Sequence, residues 1–408
     1  MFDAERYLES LEPLGMRFGL ERIRKLVAVL GLPQHRFASV HVVGTNGKSS
    51  VAEITATQLE AHGVRSGAYL SPHVERWRER VIVAGAELGE AEFAVAVERV
   101  AEAVEPVNRT LENGDVVTQF EAATAAAFVA LAAASVEVAV IEAGLGGRLD
   151  ATNVLPSSAT VLTSIGLEHT QWLGSTELEI AAEKLAVLRD HSKLIVGSVA
   201  DDVLDLARRT AAERHAELVL TTEDPALPLA PYLRRNFALA RAAAEATLGP
   251  LDPELVARVA DGLNLHGRME VVEGEPPVIL DAAHNPEGAR ALAEALREVA
   301  GGREIIAAVA MLVDKDAAGF FAVLGPVLAG VVATEIPAER LARGGRPGAR
   351  SRSARDVASA ALAAGVGQVE TVDRSGAAIA RARELAVERG GALLITGSHY
   401  LLAYAPGD

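Results

Sequence analysis

The 408-residue chain is half hydrophobic and 23% charged, and it contains no cysteine. This balance is typical of a globular protein of two or three domains. The lack of cysteine excludes disulfides, thiolate metal sites and a cysteine nucleophile. The net charge of −16 argues against a nucleic-acid surface. Residues 1–15 lack the apolar segment of a signal peptide, and no apolar run is long enough for a membrane span, so we expect a cytoplasmic protein.

Strands and helices alternate along the first two thirds of the chain. Short apolar runs predict buried strands at 38–45, 64–70, 136–142, 159–165 and 193–196. Longer segments with helical spacing of apolar residues predict helices at 48–62, 121–134, 177–190, 201–214, 233–248 and 252–263. This rhythm predicts an α/β fold with a mostly parallel sheet covered by helices.

The alternation restarts after residue 265. The segment that begins PPVILDAAHNPEG (276–288) reads as strand, loop and helix, and further strands are predicted at 304–309, 330–333, 369–372 and 392–396. We therefore expect two domains, a P-loop-type sheet domain at 1–265 and a smaller Rossmann-like α/β domain at 266–408. The Gly-, Arg- and Ser-rich segment 342–355 predicts an exposed loop.

A glycine-rich segment, GTNGKSS (44–50), lies between a predicted strand and a predicted helix. Glycines let the backbone approach phosphate oxygens closely, and a helix N-terminus adds free N–H groups and positive partial charge. Lys48 is expected to reach the β- and γ-phosphates of a nucleotide, and Ser49 or Ser50 to offer a hydroxyl to Mg²⁺. The spacing departs from the common Walker form. The alternative interpretation is a glycine-rich turn with one surface lysine.

Ten segments along the chain resemble those of one family, in that family's order. They are FGLERI (18–23), HVVGTNGKSS (41–50), SPHVERWRERV (71–81), TQFEAATAAAF (118–128), IEAGLGGRLDATN (141–153), GLEHTQWLG (166–174), IAAEKLAVL (180–188), HGRMEV (266–271), DAAHNPEGA (281–289) and TGSHYL (396–401). The chain resembles folylpolyglutamate synthase/dihydrofolate synthase, a branch of the Mur-ligase superfamily. The cell-wall ligases of this superfamily carry a further domain before the phosphate loop, whereas only 43 residues precede Gly44 in this chain. The family usually has glycine where Ser49 stands.

The resemblance implies ATP and two Mg²⁺ ions as cofactors, with these metal ligands: Ser49, Ser71, Glu142, His169 and Lys184. Glu142 ends an apolar strand, where a carboxylate needs a partner, although a capping or ion-pair role is the alternative. Lys184 is expected to be carbamylated, because a carbamate offers the oxygen ligands that Mg²⁺ prefers. The alternative is a solvated helical lysine.

The resemblance also implies catalytic roles for Lys48, Lys184 and His169, and a set of nucleotide contacts. The expected nucleotide contacts are Thr45, Asn46, Gly47, Lys48, Ser49, Ser50, Asn236, Arg268, Asp281 and His284. Asp281 is predicted to end the first strand of the second domain. The loop that follows it also reads as a helix start, with Asn285 as the cap and Pro286 at the first helical position.

Three segments match the family's pterin contacts. They are Phe18, Gly19, Leu20 and Glu21; Thr118, Gln119, Phe120 and Glu121; and Leu149, Asp150 and Ala151. The phenylalanines would supply apolar contact, and Glu121 would accept hydrogen bonds from the ring. GGRLDATN (146–153) resembles members that carry out both reactions, with Asp150 hydrogen-bonding a second pterin position. The alternative is that residues 148–153 only shape the loop, with Asp150 and Asn153 capping turns.

The resemblance implies an ATP-dependent ligase that joins L-glutamate to folates, and also to dihydropteroate, through an acyl phosphate. Its partners would be these small molecules, without nucleic acid or membrane, and we expect a monomer. Two alternatives remain among nucleotide-using proteins: another Mur-superfamily amide ligase with a different carboxylate, or a switch or kinase without amide ligation. A scaffold protein with a vestigial loop is a third, against which Lys48, Glu142 and His169 argue.

Overall fold

The computed structural model describes residues 2–11, 17–112, 114–343 and 348–405. The chain divides into two compact units, Met1–Pro228 with Leu233–Leu263, and Leu229–Tyr232 with Asn264–Asp408. Each unit is built on its own sheet. Among the described residues, no helix has both the length and the apolar character that crossing a membrane requires.

The first unit contains an eight-stranded sheet in the order β4-β3-β2-β5-β1-β6-β7-β8. Its strands are β1 (Ala38–Val43), β2 (Ser66–Tyr69), β3 (Val81–Val83), β4 (Ala86–Glu87), β5 (Val138–Glu142), β6 (Ala159–Leu162), β7 (Lys193–Val196) and β8 (Glu217–Leu220). The six strands from β2 to β8 in that order pair in parallel, and β3 and β4 add antiparallel pairs at one edge. Every residue of β5 is buried, as expected for a strand covered on both faces.

Ten α-helices accompany this sheet in the described part of the unit. They are α1 (Ala4–Ser10), α2 (Glu21–Val29), α3 (Lys48–Ala61), α4 (Glu90–Asn108), α5 (Gln119–Ala133), α6 (Thr170–Leu173), α7 (Glu177–Leu185), α8 (Asp201–Glu213), α9 (Pro231–Leu248) and α10 (Pro253–Asp261). The Ala-rich α5 is buried nearly all round, because it lies inside the apolar core rather than on its surface. Asp252 caps α10 through its side chain, as predicted.

The second unit contains a six-stranded sheet in the order β13-β12-β11-β14-β10-β9. Its strands are β9 (Glu270–Val272), β10 (Val278–Leu280), β11 (Ile305–Val309), β12 (Gly330–Glu335), β13 (Val369–Arg374) and β14 (Ala392–Thr396). Its helices are α11 (Pro286–Val299), α12 (Ala317–Leu324), α13 (Ala338–Arg343), α14 (Ala354–Ala363), α15 (Ser375–Glu388) and α16 (His399–Leu402). All pairs are parallel except β9 with β10. The predicted fold class is confirmed in both units.

Three predictions about single elements need correction, and one long helix was missed. The helix expected at 177–190 ends at Leu185, because the chain turns to bury Val187 and Leu188. The strand expected at 159–165 ends at Leu162, where the following side chains turn toward the phosphate loop. Asp281 follows β10, the second strand of its unit, since the short antiparallel β9 precedes it. The amphipathic α4 was not predicted at all, although its buried residues recur at helical spacing.

The segment expected as a loop, 342–355, is only partly one. Helix α13 extends through Arg343, and residues 344–347 lie outside the described part of the chain. Ser351 forms a β-bridge with Leu312. Ser353 then caps α14, whose first residue, Ala354, is buried. The end of this segment is therefore a helix start, because a serine side chain satisfies a free backbone N–H there.

Candidate active site

The phosphate loop connects β1 to α3 in the middle of the first sheet. The first backbone hydrogen bond of α3 runs from Val51 N–H to Gly47 O, so the N–H groups of residues 48–50 have no acceptor within the helix. Lys48 Nζ lies 3.0 Å from the carbonyl oxygen of Thr45 in the same loop. The loop therefore presents free N–H groups, a helix N-terminus and a lysine at one place, which is an arrangement suited to phosphate.

Two glycines of this loop cannot be replaced without displacing a neighbour. A Cβ atom on Gly44, whose φ is +154°, would lie 1.8 Å from Thr163 Oγ1. A Cβ atom on Gly47, whose φ is +83°, would lie 2.7 Å from Asn236 Oδ1. The side chain of Asn236, one of the predicted nucleotide contacts, therefore lies directly against the loop. The contact of Asn236 with a nucleotide stays a prediction.

Three residues that sequence reasoning missed hold the loop from the neighbouring strand. Thr163 Oγ1 donates to Asn46 O at 2.6 Å, and Ser164 Oγ accepts from Asn46 N–H at 3.1 Å. Gly166 N–H lies 3.1 Å from Thr45 Oγ1. These residues follow β6, which pairs in parallel with β1, so the two strand ends meet at the same edge of the sheet.

Glu142 ends β5, and its carboxylate meets two of the serines that were predicted as metal ligands. Its Oε2 accepts hydrogen bonds from Ser49 Oγ and from the Ser71 backbone N–H, each at 2.9 Å. Glu142 is buried, with 2% of its surface exposed. A buried carboxylate needs such donors or a cation. The structure thus brings Ser49, Ser71 and Glu142 together from three separate segments.

Lys184 lies in α7 and is buried, so the alternative of a solvated lysine is wrong. Its Nζ donates to the carbonyl oxygen of Gly44 at 2.7 Å. The loop after β5 approaches its backbone, because a Cβ atom on Gly147 would lie 2.8 Å from Lys184 O. The Lys184 amine therefore lies at the phosphate loop, although 140 residues separate it from Gly44.

His169 immediately precedes α6, with a φ of 52° that is uncommon for a residue other than glycine. Its Nε2 lies 3.7 Å from the carboxylate of Glu168. Within the described ranges, no three side chains of the His, Cys, Asp and Glu types gather as metal ligands do. A metal beside Glu142 would therefore depend on serine hydroxyls and on phosphate oxygens as well.

The first two predicted pterin segments are joined by a buried ion pair. Arg22 Nε lies 3.0 Å from both oxygens of Glu121, and Arg22 Nη2 donates to Arg17 O at 2.7 Å. Glu121 Oε2 also accepts from the N–H and the hydroxyl of Thr118, both at 2.8 Å, which forms a capping box for α5. The Glu121 carboxylate is therefore used within the protein, and its hydrogen bonds with a pterin stay a prediction.

The other residues of these segments range from buried to exposed. Phe120 lies against Gly144, where an added Cβ atom would come within 2.4 Å of the ring. Gln119 donates to the carbonyl oxygen of Leu8 at 2.9 Å. Phe18 is 38% exposed, and its ring lies 5.2 Å from that of Trp172. Leu20 precedes α2, Glu21 begins it, and Gly19 has a φ of +134°.

The third predicted pterin segment is a loop organised by Asp150. The Asp150 carboxylate accepts from Leu145 N–H at 2.8 Å, from Thr152 N–H at 3.0 Å and from the Thr152 hydroxyl at 2.5 Å. Asn153 Nδ2 donates to Arg148 O at 2.8 Å. These contacts support the alternative in which Asp150 and Asn153 shape the loop. Leu149 is 41% exposed and Ala151 is buried.

In the second unit, Asp281 is fully enclosed by donors. Its Oδ2 accepts from the Tyr232 hydroxyl at 2.6 Å and from Met269 N–H at 3.0 Å, and its Oδ1 accepts from Ala283 N–H at 2.9 Å. Burial raises the pKa of Asp281, although these hydrogen bonds and the charge of Arg268 oppose the rise. Asp281 therefore fixes the segment that carries Arg268.

For the loop that follows Asp281, the sequence predicts a nucleotide contact at His284 and a helix start at Asn285 and Pro286. His284 Nδ1 lies 2.8 Å from Ala282 O. Asn285 caps α11 by accepting from Gly288 N–H, and Pro286 occupies the first helical position, so the predicted helix start is confirmed. The structure leaves the nucleotide contacts of Arg268, Asp281 and His284 as predictions.

Comparisons with known proteins agree with this geometry. Residues 267–399 match the family model of the Mur ligase, glutamate ligase domain. The chain is 32% identical over 350 residues to the dihydrofolate synthase/folylpolyglutamate synthase of Bacillus subtilis, covering 77% of this chain and 80% of that protein.

Two solved structures are also similar over nearly the whole chain. One is Mycobacterium tuberculosis folylpolyglutamate synthase complexed with ADP and AMPPCP, with a TM-score of 0.89, 29% identity and coverage of 98% of this chain and 97% of that one. The other is a bifunctional folylpolyglutamate synthase/dihydrofolate synthase with Mn, AMPPNP and L-glutamate bound, with a TM-score of 0.81, 29% identity and coverage of 98% and 96%. The chain belongs to the dihydrofolate synthase/folylpolyglutamate synthase family.

Proposed function

We propose that this chain is an ATP-dependent ligase that joins L-glutamate to folates, and to dihydropteroate, through an acyl phosphate. The observation that carries the proposal is the meeting of the phosphate loop with Glu142 through Ser49. The B. subtilis relative is named for both reactions, and the two similar structures hold adenine nucleotides, with L-glutamate in one of them. Family membership and site chemistry therefore favour the same reaction.

ATP is needed because a carboxylate does not condense with an amine unaided in water. A carboxylate oxygen of the acceptor attacks the γ-phosphorus, and the bond to the departing ADP breaks. The N–H groups of residues 48–50 and the Lys48 amine lie where they would hold the phosphates and offset their charge. The α-amine of glutamate then attacks the acyl carbon, loses a proton, and inorganic phosphate leaves.

The residues around Glu142 fit a divalent cation. Oxygen donors are what Mg²⁺ prefers, and Ser49 and Ser71 lie beside the buried Glu142 carboxylate. We assign the ion to Glu142, Ser49, Ser71 and His169, with Lys184 as a further ligand once it is carbamylated. When bound, the cation supplies electrostatic stabilisation of the transferring phosphoryl group.

Lys184 is suited to carbamylation by its burial and its hydrogen bond. A lysine must lose a proton before it reacts with CO₂, and burial favours the neutral amine. A carbamate keeps one N–H on Nζ, so the hydrogen bond to Gly44 O at 2.7 Å would survive the modification. The new carboxylate would add oxygen ligands at the phosphate loop.

The test is phosphate release by the purified protein with each component left out in turn. A ligase of this type requires ATP, an acceptor and L-glutamate together, and its product gains one glutamate residue by mass spectrometry. A nucleotide switch would release phosphate without glutamate, and a kinase would form ADP and a phosphorylated acceptor without it. Phosphate release that depends on an amine other than glutamate, or on a carboxylate other than a pterin one, would contradict the proposed substrates.

A further inference from the structure

An exposed aromatic pair stands out on the first unit. Phe18 and Trp172 are 38% and 52% exposed, and their ring centroids lie 5.2 Å apart at an interplanar angle of 53°. The chain has only two tryptophans, and the other, Trp77, is 2% exposed within the core. Aromatic side chains left at a surface together indicate a binding site more often than isolated ones do.

The pair lies where three segments of the candidate site converge. Trp172 belongs to the short helix α6, which begins directly after His169. The next residue, Leu173, is buried against the loop after β5, since a Cβ atom on Gly146 would lie 2.8 Å from Leu173 Cδ2. Phe18 comes from the segment that Arg22 ties to the start of α5. The buried neighbour Leu173 on one side and the ring of Phe18 on the other thus fix the position of Trp172.

We propose that Trp172, with Phe18, forms the platform on which the benzoyl ring of dihydropteroate stacks. This inference rests on the proposed function. Both acceptors carry a benzoyl ring between the pterin and the rest of the molecule, and in dihydropteroate the reacting carboxylate is attached to it directly. Trp172 is three residues from His169, a proposed metal ligand, and touches Phe18, a predicted pterin contact. The ring that lies between pterin and carboxylate fits that intermediate position.

Trp172→Ala removes the platform, and Trp172→Phe keeps an aromatic face. We expect Trp172→Ala to weaken binding of dihydropteroate by roughly tenfold and binding of tetrahydrofolate far less, because the benzoyl ring of a folate lies one glutamate farther from its reacting carboxylate. Trp172→Phe should recover most of that loss, and AMPPNP affinity should be unchanged in both variants. The control is Leu220→Ala, which removes a side chain of similar exposure, 51%, from β8.

Equilibrium dialysis with radiolabelled dihydropteroate and tetrahydrofolate, in the presence of AMPPNP and Mg²⁺, measures these affinities without turnover. Because Trp172 is exposed, the melting temperatures of the variants should match that of the unchanged protein. Equal dihydropteroate affinity in Trp172→Ala and the unchanged protein would overturn the platform alone. An unchanged protein that binds neither acceptor would overturn the proposed function together with it.

Discussion

Arg22 and Glu121 are 99 residues apart in the sequence, yet the guanidinium Nε of Arg22 lies 3.0 Å from both oxygens of the Glu121 carboxylate. The same guanidinium contacts Asp115 at 2.6 Å. Burial raises the pKa of Glu121, whereas the hydrogen bond and charge of Arg22 and the hydrogen bonds from Thr118 oppose that rise. The pair fixes the segment that carries Phe18 against the one that carries Phe120.

Arg22→Met should therefore destabilise the first unit strongly. It would leave the buried Glu121 carboxylate without its cation, a change that costs about 3–5 kcal/mol in other proteins. Denaturant unfolding measures the loss. The matched control is Arg17→Met, which removes a half-exposed partner of Asp115 and should cost no more than about 1 kcal/mol. Equal losses in the two variants would show that the Arg22 network is not a buried clamp.

Lys48→Ala should abolish glutamate ligation and leave the fold intact. The amine of this loop lysine lies at the phosphate loop, and loss of one such cation lowers turnover by roughly 100-fold or more. Initial rates at saturating ATP measure the effect, and an unchanged melting temperature controls for folding. Near-normal turnover by the folded variant would remove Lys48 from the mechanism.

The parts of this site that could be predicted are those whose signal is local in sequence. The phosphate loop is recognisable because strand, glycines, lysine and helix follow one another within about a dozen residues. Glu142 is recognisable because it ends an uninterrupted apolar strand. In both cases the backbone direction of a parallel sheet places these residues at one edge.

The parts that could not be predicted depend on pairing between distant segments. Thr163 and Ser164 hold the phosphate loop only because β6 lies beside β1, and their own sequence carries no motif. Glu121 lies in α5 and forms its ion pair with Arg22 of α2, so the residues around Glu121 in the sequence do not reveal that contact. Similarly, the early end of α7 follows from burial of Val187 and Leu188, which a helical pattern does not reveal.

Lys184 should carry a carbamate in the active enzyme. Protein equilibrated with ¹³C-bicarbonate should show one carbamate carbon signal by NMR, and Lys184→Ala should lose both that signal and ligase activity. A short added carboxylate at high concentration should restore part of the activity. Lys193→Ala is the matched control, since Lys193 Nζ also donates to a backbone carbonyl, that of Ala246 at 3.3 Å. A fully active enzyme with a free Lys184 amine would refute the modification.

His41 should make the folded state less stable as the pH falls below about 6.5, the usual pKa of an unfolded histidine. Burial, with a smaller contribution from the charge of Arg189, lowers the pKa of His41 in the fold to about 3. The unfolded chain then binds a proton that the folded chain does not, so stability decreases from about pH 6.5 down to about pH 3. The Nε2 atom of His41 lies 2.8 Å from Thr152 Oγ1. Because the Thr152 hydroxyl donates its hydrogen to Asp150, His41 must be the donor in this hydrogen bond.

Unfolding free energies between pH 5 and pH 6.5 test this, by comparison of the unchanged protein with His41→Gln. The unchanged protein should lose more stability than the variant as the pH falls, with a difference in slope that approaches about 1.4 kcal/mol per pH unit toward pH 5. Parallel curves for the two proteins would show that His41 takes up a proton in the fold as readily as in the unfolded chain.

The last prediction is that both acceptors are substrates and that Leu149, rather than Asp150, separates them. Dihydropteroate ends one glutamate earlier than folate, so its pterin must bind deeper or along another path to bring its carboxylate to the same γ-phosphate. The exposed Leu149 side chain lies on the loop proposed to line that path. The Asp150 carboxylate is already used by Leu145 and Thr152, so Asp150→Ala should disturb the loop and lower both reactions.

Ligation of radiolabelled glutamate to dihydropteroate and to a reduced folate monoglutamate, measured side by side, tests this. Leu149→Ala should reduce the dihydropteroate rate by roughly tenfold, since one apolar contact with the bound acceptor is lost, and should change the folate rate far less. Product from folate and none from dihydropteroate would make the enzyme extension-only. A residue that lines only the dihydropteroate path should affect only that acceptor. An equal fall of both rates in Leu149→Ala would therefore show that Leu149, like Asp150, only maintains the shape of the loop.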